Sequence, residues 1–327
     1  MGGAYGLRSW GLLRLRGRDR RGPAASVRRG PCTEGGSVIL NASGCLDALA
    51  SPQIARQLDA YVTKTITPKP RRGSPGPRIA ETEAGMLNSI GLQNPGRERF
   101  LAEVLPRLLD LGLSLWVSVG GFCAGDYAET CALLEGTGVV AVELNLSCPN
   151  VEQAADPVAE IVAACRAATT LPLYAKLAPG RDLPLAAAAV AEAGADGLSL
   201  VNTAVGLALD PSFRPALGAG LGGYSGPALK PVALASVYAA YRATGLPIVG
   251  MGGVRSGRDA LELIACGASA VALGTVLLVD SDAPGRVRAE LAEETRKLGL
   301  ERPEKARGLA HKDFLPSSQR AEAAGLG

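Results

Sequence analysis

The feature that most constrains the fold of this chain is a regular alternation of short apolar segments with longer amphipathic ones after residue 36. The apolar segments have the length of buried strands and lie at 37–40, 60–63, 114–119, 139–144, 173–177, 197–201, 247–250 and 270–273. Segments with helical spacing lie between and after them, at 98–111, 126–135, 157–168, 185–193, 230–242, 257–266 and 287–298. Eight strands, most of them followed by a helix, predict an α/β fold of the (β/α)8 TIM barrel type. An open, doubly wound sheet is the alternative, because periodicity alone does not separate the two.

Two connections are longer than a plain barrel turn requires. They span 65–95 and 202–227, and both are rich in glycine and proline. Long loops after strands, at the C-terminal face of a barrel, are where such folds build their binding sites. We therefore expect the functional residues in these loops and at the neighbouring strand ends.

Glycines follow the last two predicted strands. Gly252 and Gly253 come after the seventh strand, and Gly274 and Thr275 come after the eighth. Glycine lets backbone N–H groups approach a phosphate closely, and a helix predicted to begin near Ser256 would add its positive end. The pattern predicts a phosphate site, with tight barrel turns as the alternative. The GxGxxG pattern at 218–223 does not follow a predicted strand, so it does not indicate a dinucleotide-binding fold.

Two of the seven lysines, Lys64 and Lys176, stand at the ends of the second and fifth predicted strands. An ammonium group at a barrel mouth can stabilise negative charge that develops on a flavin or an oxyanion. A structural ion pair with Glu143, on the fourth strand, is the alternative for either lysine.

The fourth strand runs into a segment with two amides and a thiol. Asn145 and Asn150 can each donate and accept hydrogen bonds, which suits recognition of a ring amide or a carboxylate. Cys148 lies between them, and a thiolate there can act as a base or a nucleophile. The other six cysteines are predicted to be structural.

Composition excludes several classes of function. The 34 basic and 31 acidic residues leave a net charge of +3, too small a surplus to indicate nucleic-acid binding. No run of 18 apolar residues is present, so no membrane span is predicted. Seven cysteines without a CxxC pair, and a single histidine, argue against a disulfide framework, an iron–sulfur cluster or any other metal site, and favour the cytoplasm.

The domain organisation follows from the same patterns. Residues 1–24 carry six arginines against one aspartate and are predicted to be a basic, disordered extension. Residues 25–327 are predicted to form one barrel domain.

The segment 145–150, Asn-Leu-Ser-Cys-Pro-Asn, resembles the catalytic segment of class 1 dihydroorotate dehydrogenases. The resemblance extends over roughly 25–311. It includes Ala-Ser-Gly at 42–44, Lys-Thr at 64–65 and the stretch from Glu81 to Asn94, which is similar to the orotate loop of the class 1B catalytic subunit. Ser118 stands where that family commonly has an asparagine, and the loop at 151–156 is shorter than the family's usual one.

The resemblance implies oxidation of dihydroorotate to orotate in pyrimidine biosynthesis, with Cys148 as the catalytic base and a hydride passing to FMN. The implied FMN contacts are Ser43, Lys64, Thr65, Asn145, Lys176, Val201, Gly226, Gly252, Gly253, Gly274 and Thr275. The implied pyrimidine contacts are Lys64, Asn88, Ser89, Ile90, Gly91, Leu92, Asn145, Asn150, Asn202 and Thr203. The implied partners are a second copy of the chain and a subunit that carries FAD and a 2Fe–2S cluster and passes electrons to NAD.

Three alternatives stay open at this point. One is a class 1A enzyme, which works without that subunit and reduces fumarate. The second is a relative of dihydropyrimidine dehydrogenase, although the chain lacks ferredoxin-like cysteines. The third is a flavin-binding barrel without activity that serves as a scaffold.

We predict that Cys148→Ala will still bind FMN and orotate but will lose about 10²- to 10⁴-fold in the rate of flavin reduction, because a general base has been removed. Stopped-flow absorbance with dihydroorotate measures this rate, and the wild-type rate should rise with pH as the thiol ionises. Cys266→Ala, at a predicted core position, is the control. A near-normal rate for Cys148→Ala would remove this thiol from the mechanism.

Overall fold

The protein is a (β/α)8 barrel. A computed structural model describes residues 38–146 and 157–312. Eight parallel strands form one sheet in the order β1-β12-β11-β8-β7-β6-β5-β2. These strands are β1 (Val38–Asn41), β2 (Tyr61–Val62), β5 (Leu115–Val119), β6 (Ala141–Asn145), β7 (Leu173–Leu177), β8 (Gly197–Leu200), β11 (Ile248–Met251) and β12 (Ala270–Leu273). All eight strands predicted from the sequence are confirmed, and the open doubly wound sheet was the wrong alternative.

The junction between β1 and β2 closes the barrel. Only one bridge, Leu40 to Ala60, joins their backbones directly. The buried side chain of Asn41 replaces the missing ladder bonds: its Nδ2 donates to the Val62 carbonyl at 2.8 Å, and its Oδ1 accepts from the Val62 N–H at 2.8 Å. One amide side chain therefore pairs both backbone groups of a strand residue at the seam.

Helices follow the strands and form the outer layer. They are α1 (Pro52–Ala55), α2 (Arg97–Arg99), α3 (Leu105–Leu109), α4 (Ala124–Leu134), α5 (Val158–Ala168), α6 (Leu183–Glu192), α7 (Lys230–Thr244), α8 (Gly257–Ala265) and α9 (Ala283–Lys297). A π-helical turn, Phe100–Val104, joins α2 to α3, so this region is one continuous helical segment, close to the predicted 98–111.

Alternate strand residues serve two separate cores. Side chains such as Leu115, Val117 and Leu144 pack outward against the helices. A second cluster, made of residues in or next to the barrel strands, fills the barrel interior, where the rings of Trp116 and Tyr174 lie 4.5 Å apart between centroids. Bulky side chains thus pack inside the barrel, and the carboxyl ends of the strands are left to build a site.

The two long connections contain a small antiparallel sheet that the sequence analysis treated as loops. Its order is β3-β4-β10-β9, with bounds β3 (Ile79–Thr82), β4 (Gly85–Asn88), β9 (Ala204–Gly206) and β10 (Gly222–Ser225). β10 pairs with β4, so the two connections are joined to each other. The strands are only three or four residues long and carry a mixed composition, which explains why periodicity did not reveal them. The GxGxxG pattern at 218–223 runs into β10.

No helix in the two described ranges is long and apolar enough to cross a membrane. The predicted extension, 1–24, lies outside the residues that the structure describes.

We predict that Asn41→Ala will lower the free energy of unfolding by about 2–4 kcal/mol, because it leaves two buried backbone groups of Val62 without partners. Chemical denaturation followed by circular dichroism measures the change. Gln53→Ala, at an exposed position of α1, is the control and should be nearly neutral. A loss for Asn41→Ala no larger than that of the control would mean that the seam does not depend on this side chain.

Candidate active site

A cavity of about 250 Å³ opens at the carboxyl ends of the barrel strands, beneath the small sheet. Both long connections contribute to its wall. The predicted site residues that line it are Ser43, Lys64, Thr65, Asn88, Ile90, Gly91, Leu92, Asn145, Lys176, Val201, Asn202, Thr203, Gly226, Gly252, Gly253, Gly274 and Thr275. The carboxyl ends of the barrel strands thus bring together residues that lie more than 200 positions apart in the chain.

One part of the cavity wall is made by the glycine turns after β11 and β12. Gly253 has a φ of +75°, and a Cβ atom there would lie 2.8 Å from the backbone nitrogen of Lys230 and 3.0 Å from the Pro227 carbonyl oxygen. Only glycine combines this backbone conformation with so close an approach. The Gly253 turn is therefore packed closely against the start of α7. The glycines of both turns line the cavity without side chains, which suits a phosphate.

Helix α8 begins at Gly257, next to the predicted start, but its first amides are already paired. Ser256 caps the helix, the N–H groups of Arg255 and Ser256 donate to the carboxylate of Asp259, and the N–H of Gly257 donates to Glu290. The helix N-terminus is thus less available to a phosphate than predicted. The glycine turns are the feature that a phosphate can approach.

Both lysines predicted for the site reach the cavity. Lys176 is 4% exposed; its Nζ lies 2.8 Å from Ser43 Oγ and 3.3 Å from Glu143 Oε1. Lys64 passes close to Gly44, where a Cβ would lie 2.9 Å from the Lys64 Nζ. For Lys176, the two alternatives are therefore both true: the ammonium forms an ion pair with Glu143 and also lines the cavity.

A chain of side-chain hydrogen bonds extends from Glu143 to the opposite wall. Ser118 Oγ donates to Glu143 Oε1 at 3.2 Å and lies 2.9 Å from Thr65 Oγ1. Thr65 Oγ1 accepts from Asn145 Nδ2 at 3.1 Å, and Asn145 Oδ1 accepts from Asn202 Nδ2 at 3.2 Å. The amides of Asn145 and Asn202 are held in a defined orientation by this chain.

Cys45 is a cavity residue that the sequence analysis assigned a structural role. Burial raises the pKa of its thiol, although the nearby ammonium groups of Lys176 and Lys64 oppose the shift. The thiol is therefore protonated near neutral pH and is not suited to act as a base.

The loop after β4 lines the cavity with four of its five predicted residues. Ser89 is the exception: it is buried, and its Oγ donates to Ser74 Oγ at 3.3 Å instead of facing the cavity. Cys148 and Asn150 lie outside the described residues, so their predicted roles stay predictions.

Sequence reasoning missed six apolar residues of the wall. They are Ile79 and Met86 from the small sheet, Leu229 just before α7, Met251 at the end of β11, Val254 after it, and Leu278 from the helical turn after β12. Met251 continues the alternation of β11 and could have been found by counting along that strand. The positions of the others depend on how the segments outside the barrel strands fold.

The comparisons with known proteins agree with this geometry. The family model described as dihydroorotate dehydrogenase matches residues 35–295. The chain is similar to dihydroorotate dehydrogenase B (NAD(+)), catalytic subunit, of Desulforudis audaxviator, at 44% identity over 78% of this chain and 86% of the relative. It is 40% identical to the protein of the same name from Listeria monocytogenes, over 80% of this chain and 90% of that one.

Two further matches have different names. A provisionally named dihydroorotate dehydrogenase A (fumarate) of Solibacter usitatus is 45% identical over 74% of this chain and 83% of the relative. The crystal structure of an Eimeria tenella dihydroorotate dehydrogenase in complex with ferulenol matches with a TM-score of 0.72 and 25% identity, over 84% of this chain and 85% of that one. The family model, the relatives and the fold agree, and the chain belongs to the dihydroorotate dehydrogenase family.

Proposed function

We propose that this chain oxidises dihydroorotate to orotate with FMN, as the catalytic subunit of a class 1B enzyme of pyrimidine biosynthesis. The observation that carries the proposal is the convergence, in one cavity, of a glycine-lined turn, two lysines and two oriented amides. The names of relatives at 40–44% identity support the same activity.

The residues present fit FMN. Gly252, Gly253 and Gly274 line the cavity with backbone that a terminal phosphate can approach, and Leu229 and Met251 offer apolar surface to a ring system. Lys176 and Ser43 supply donors for the polar edge of that ring. When bound, FMN supplies the acceptor for the hydride that leaves C6 of dihydroorotate.

The protein's own groups have two further tasks in this scheme. Asn145 and Asn202, which are hydrogen-bonded to each other, hold the pyrimidine ring through its amide and carbonyl groups. Lys64 and Lys176 stabilise the negative charge that develops during transfer. The thiolate of Cys148 takes the proton from C5 and becomes the thiol.

Partners are also part of the proposal. The words "catalytic subunit" in the relatives' names support a second, electron-transferring subunit, which we propose carries FAD and a 2Fe–2S cluster. A homodimeric core is supported by exposed apolar side chains on β9 and the loop after it: Val205, Leu207, Leu209, Phe213 and Leu221. Location in the cytoplasm stays a prediction from the sequence.

We predict that purified protein will release FMN, and not FAD, on denaturation, and that Gly253→Asp will be purified without flavin. The new side chain would strain a left-handed backbone position and would press on the backbone of Lys230 and Pro227, which would distort the turn that we propose holds the phosphate. Fluorescence of the released flavin after chromatography measures both. Gly180→Asp, at an exposed glycine with open space around it, is the control and should keep its flavin. Stoichiometric FAD in the wild type, or full FMN occupancy in Gly253→Asp, would contradict the assignment.

The match to a fumarate-type relative makes class 1A the second candidate. We predict that the isolated chain will reduce dyes with dihydroorotate but will form little NADH and little succinate, because its electrons pass to a partner. Activity with NAD should appear when the electron-transfer subunit is added. Rapid succinate formation from fumarate by the isolated chain would overturn class 1B and leave the general dehydrogenase activity standing.

A further inference from the structure

Glu143 is a buried carboxylate behind the cavity wall. It lies on β6, is 1% exposed and does not itself line the cavity. Its Oε1 atom receives two contacts, one from the ammonium of Lys176 at 3.3 Å and one from the hydroxyl of Ser118 at 3.2 Å. The carboxylate therefore contacts a lysine that lines the cavity but does not itself reach the place proposed for the flavin.

The charges around the cavity are unequal. Among the described residues that line it, Lys64 and Lys176 are cationic and none is acidic. Glu143 forms an ion pair with one of these two cations, Lys176, and is not itself among the residues that line the cavity. The ammonium of Lys176 is held between Ser43 Oγ on one side and Glu143 on the other.

Stability alone does not account for this arrangement. A buried ion pair recovers little more than the cost of removing its charges from water, and well-packed apolar residues are often as stable or more so. The neighbouring interior positions Trp116 and Tyr174 show that this barrel accommodates bulky side chains. This carboxylate is buried next to a lysine that reaches the site. Its place indicates a role in setting the position of that lysine and the net charge of the pair.

We propose that Glu143, oriented by Ser118, is a positioning residue that fixes the Lys176 ammonium against the flavin and partly neutralises it. This inference rests on the proposed function, because it requires that FMN occupies the cavity. A positive charge beside a flavin favours its reduction, since reduction adds negative charge. Glu143 weakens that effect and so holds the reduction potential of the bound FMN lower than Lys64 and Lys176 alone would set it.

The test is the reduction potential of FMN bound to the full chain, measured by anaerobic titration against a reference dye. Glu143→Gln keeps an oxygen that can accept from Lys176 and Ser118 but removes the negative charge. We expect the ratio of reduced to oxidised flavin at a given potential to rise on the order of tenfold, which for a two-electron couple is a shift of about 30 mV in the positive direction. Glu143→Asp, which withdraws the charge from Lys176, should give a smaller shift of the same sign.

The ion pair between Arg166 and Asp196 is a matched control. Its nitrogen and oxygen atoms lie 2.8 Å apart, and neither residue lines the cavity. Asp196→Asn should lower the midpoint of thermal unfolding and leave the reduction potential of FMN unchanged.

A second experiment measures FMN affinity. Lys176→Met leaves the Glu143 carboxylate buried without its cation, so it should bind FMN weakly, and the double variant with Glu143→Gln should bind it more tightly than Lys176→Met alone.

The outcomes separate the two proposals. If wild-type protein does not bind FMN, the proposed function fails. If it binds FMN but Glu143→Gln leaves the potential unchanged or makes it more negative, Glu143 has no such role and this inference is overturned. Equal FMN affinity of Lys176→Met and the double variant would also overturn it. If Glu143→Gln does not fold, Glu143→Asp decides the matter: no positive shift in that variant would overturn the inference.

Discussion

Closure of the parallel sheet is the constraint on which the rest of this structure depends. A strand edge left open inside a protein exposes unpaired N–H and C=O groups, and a barrel removes both edges at once. Here the seam between β1 and β2 is short of backbone bonds, and the side chain of Asn41 supplies two of them. Once the sheet is closed, all eight carboxyl ends meet on one rim, and the cavity forms where they meet.

The polar interior of that rim is the energetically expensive part of the molecule. Lys176 and Glu143 are both almost fully buried, and charges at this depth persist only when they are paired and hydrogen-bonded. The hydroxyls of Ser118 and Thr65 extend the pair into a chain that ends at the amides of the cavity wall. The hydrogen bonds that stabilise these buried charges also orient the groups that the proposed reaction uses.

Much of the barrel was predictable because its signals are local. Each strand is a short apolar run between helical segments, and the observed bounds of β7 and β12 coincide with the predicted ranges. The site residues at strand ends were predictable for the same reason. All barrel strands run in the same direction, so residues at or just after their carboxyl ends meet on one side, as Lys64, Asn145 and Lys176 do. The small sheet was not predictable, because its strands are short and mixed in composition, and the pairing of β4 with β10 that joins its two halves links segments more than 130 residues apart.

The sequence by itself therefore determined the eight alternating strands, the glycine turns and the family, since these depend on local pattern and on motifs that are continuous in the chain. Only the tertiary structure closed the sheet into a barrel and decided which groups meet. It placed Glu143 against Lys176, turned Ser89 away from the cavity towards Ser74, and paired the first amide of α8 with Glu290. The physical reason is that burial and hydrogen bonding are satisfied between distant segments, and a side chain's partner is known only when those segments have packed together.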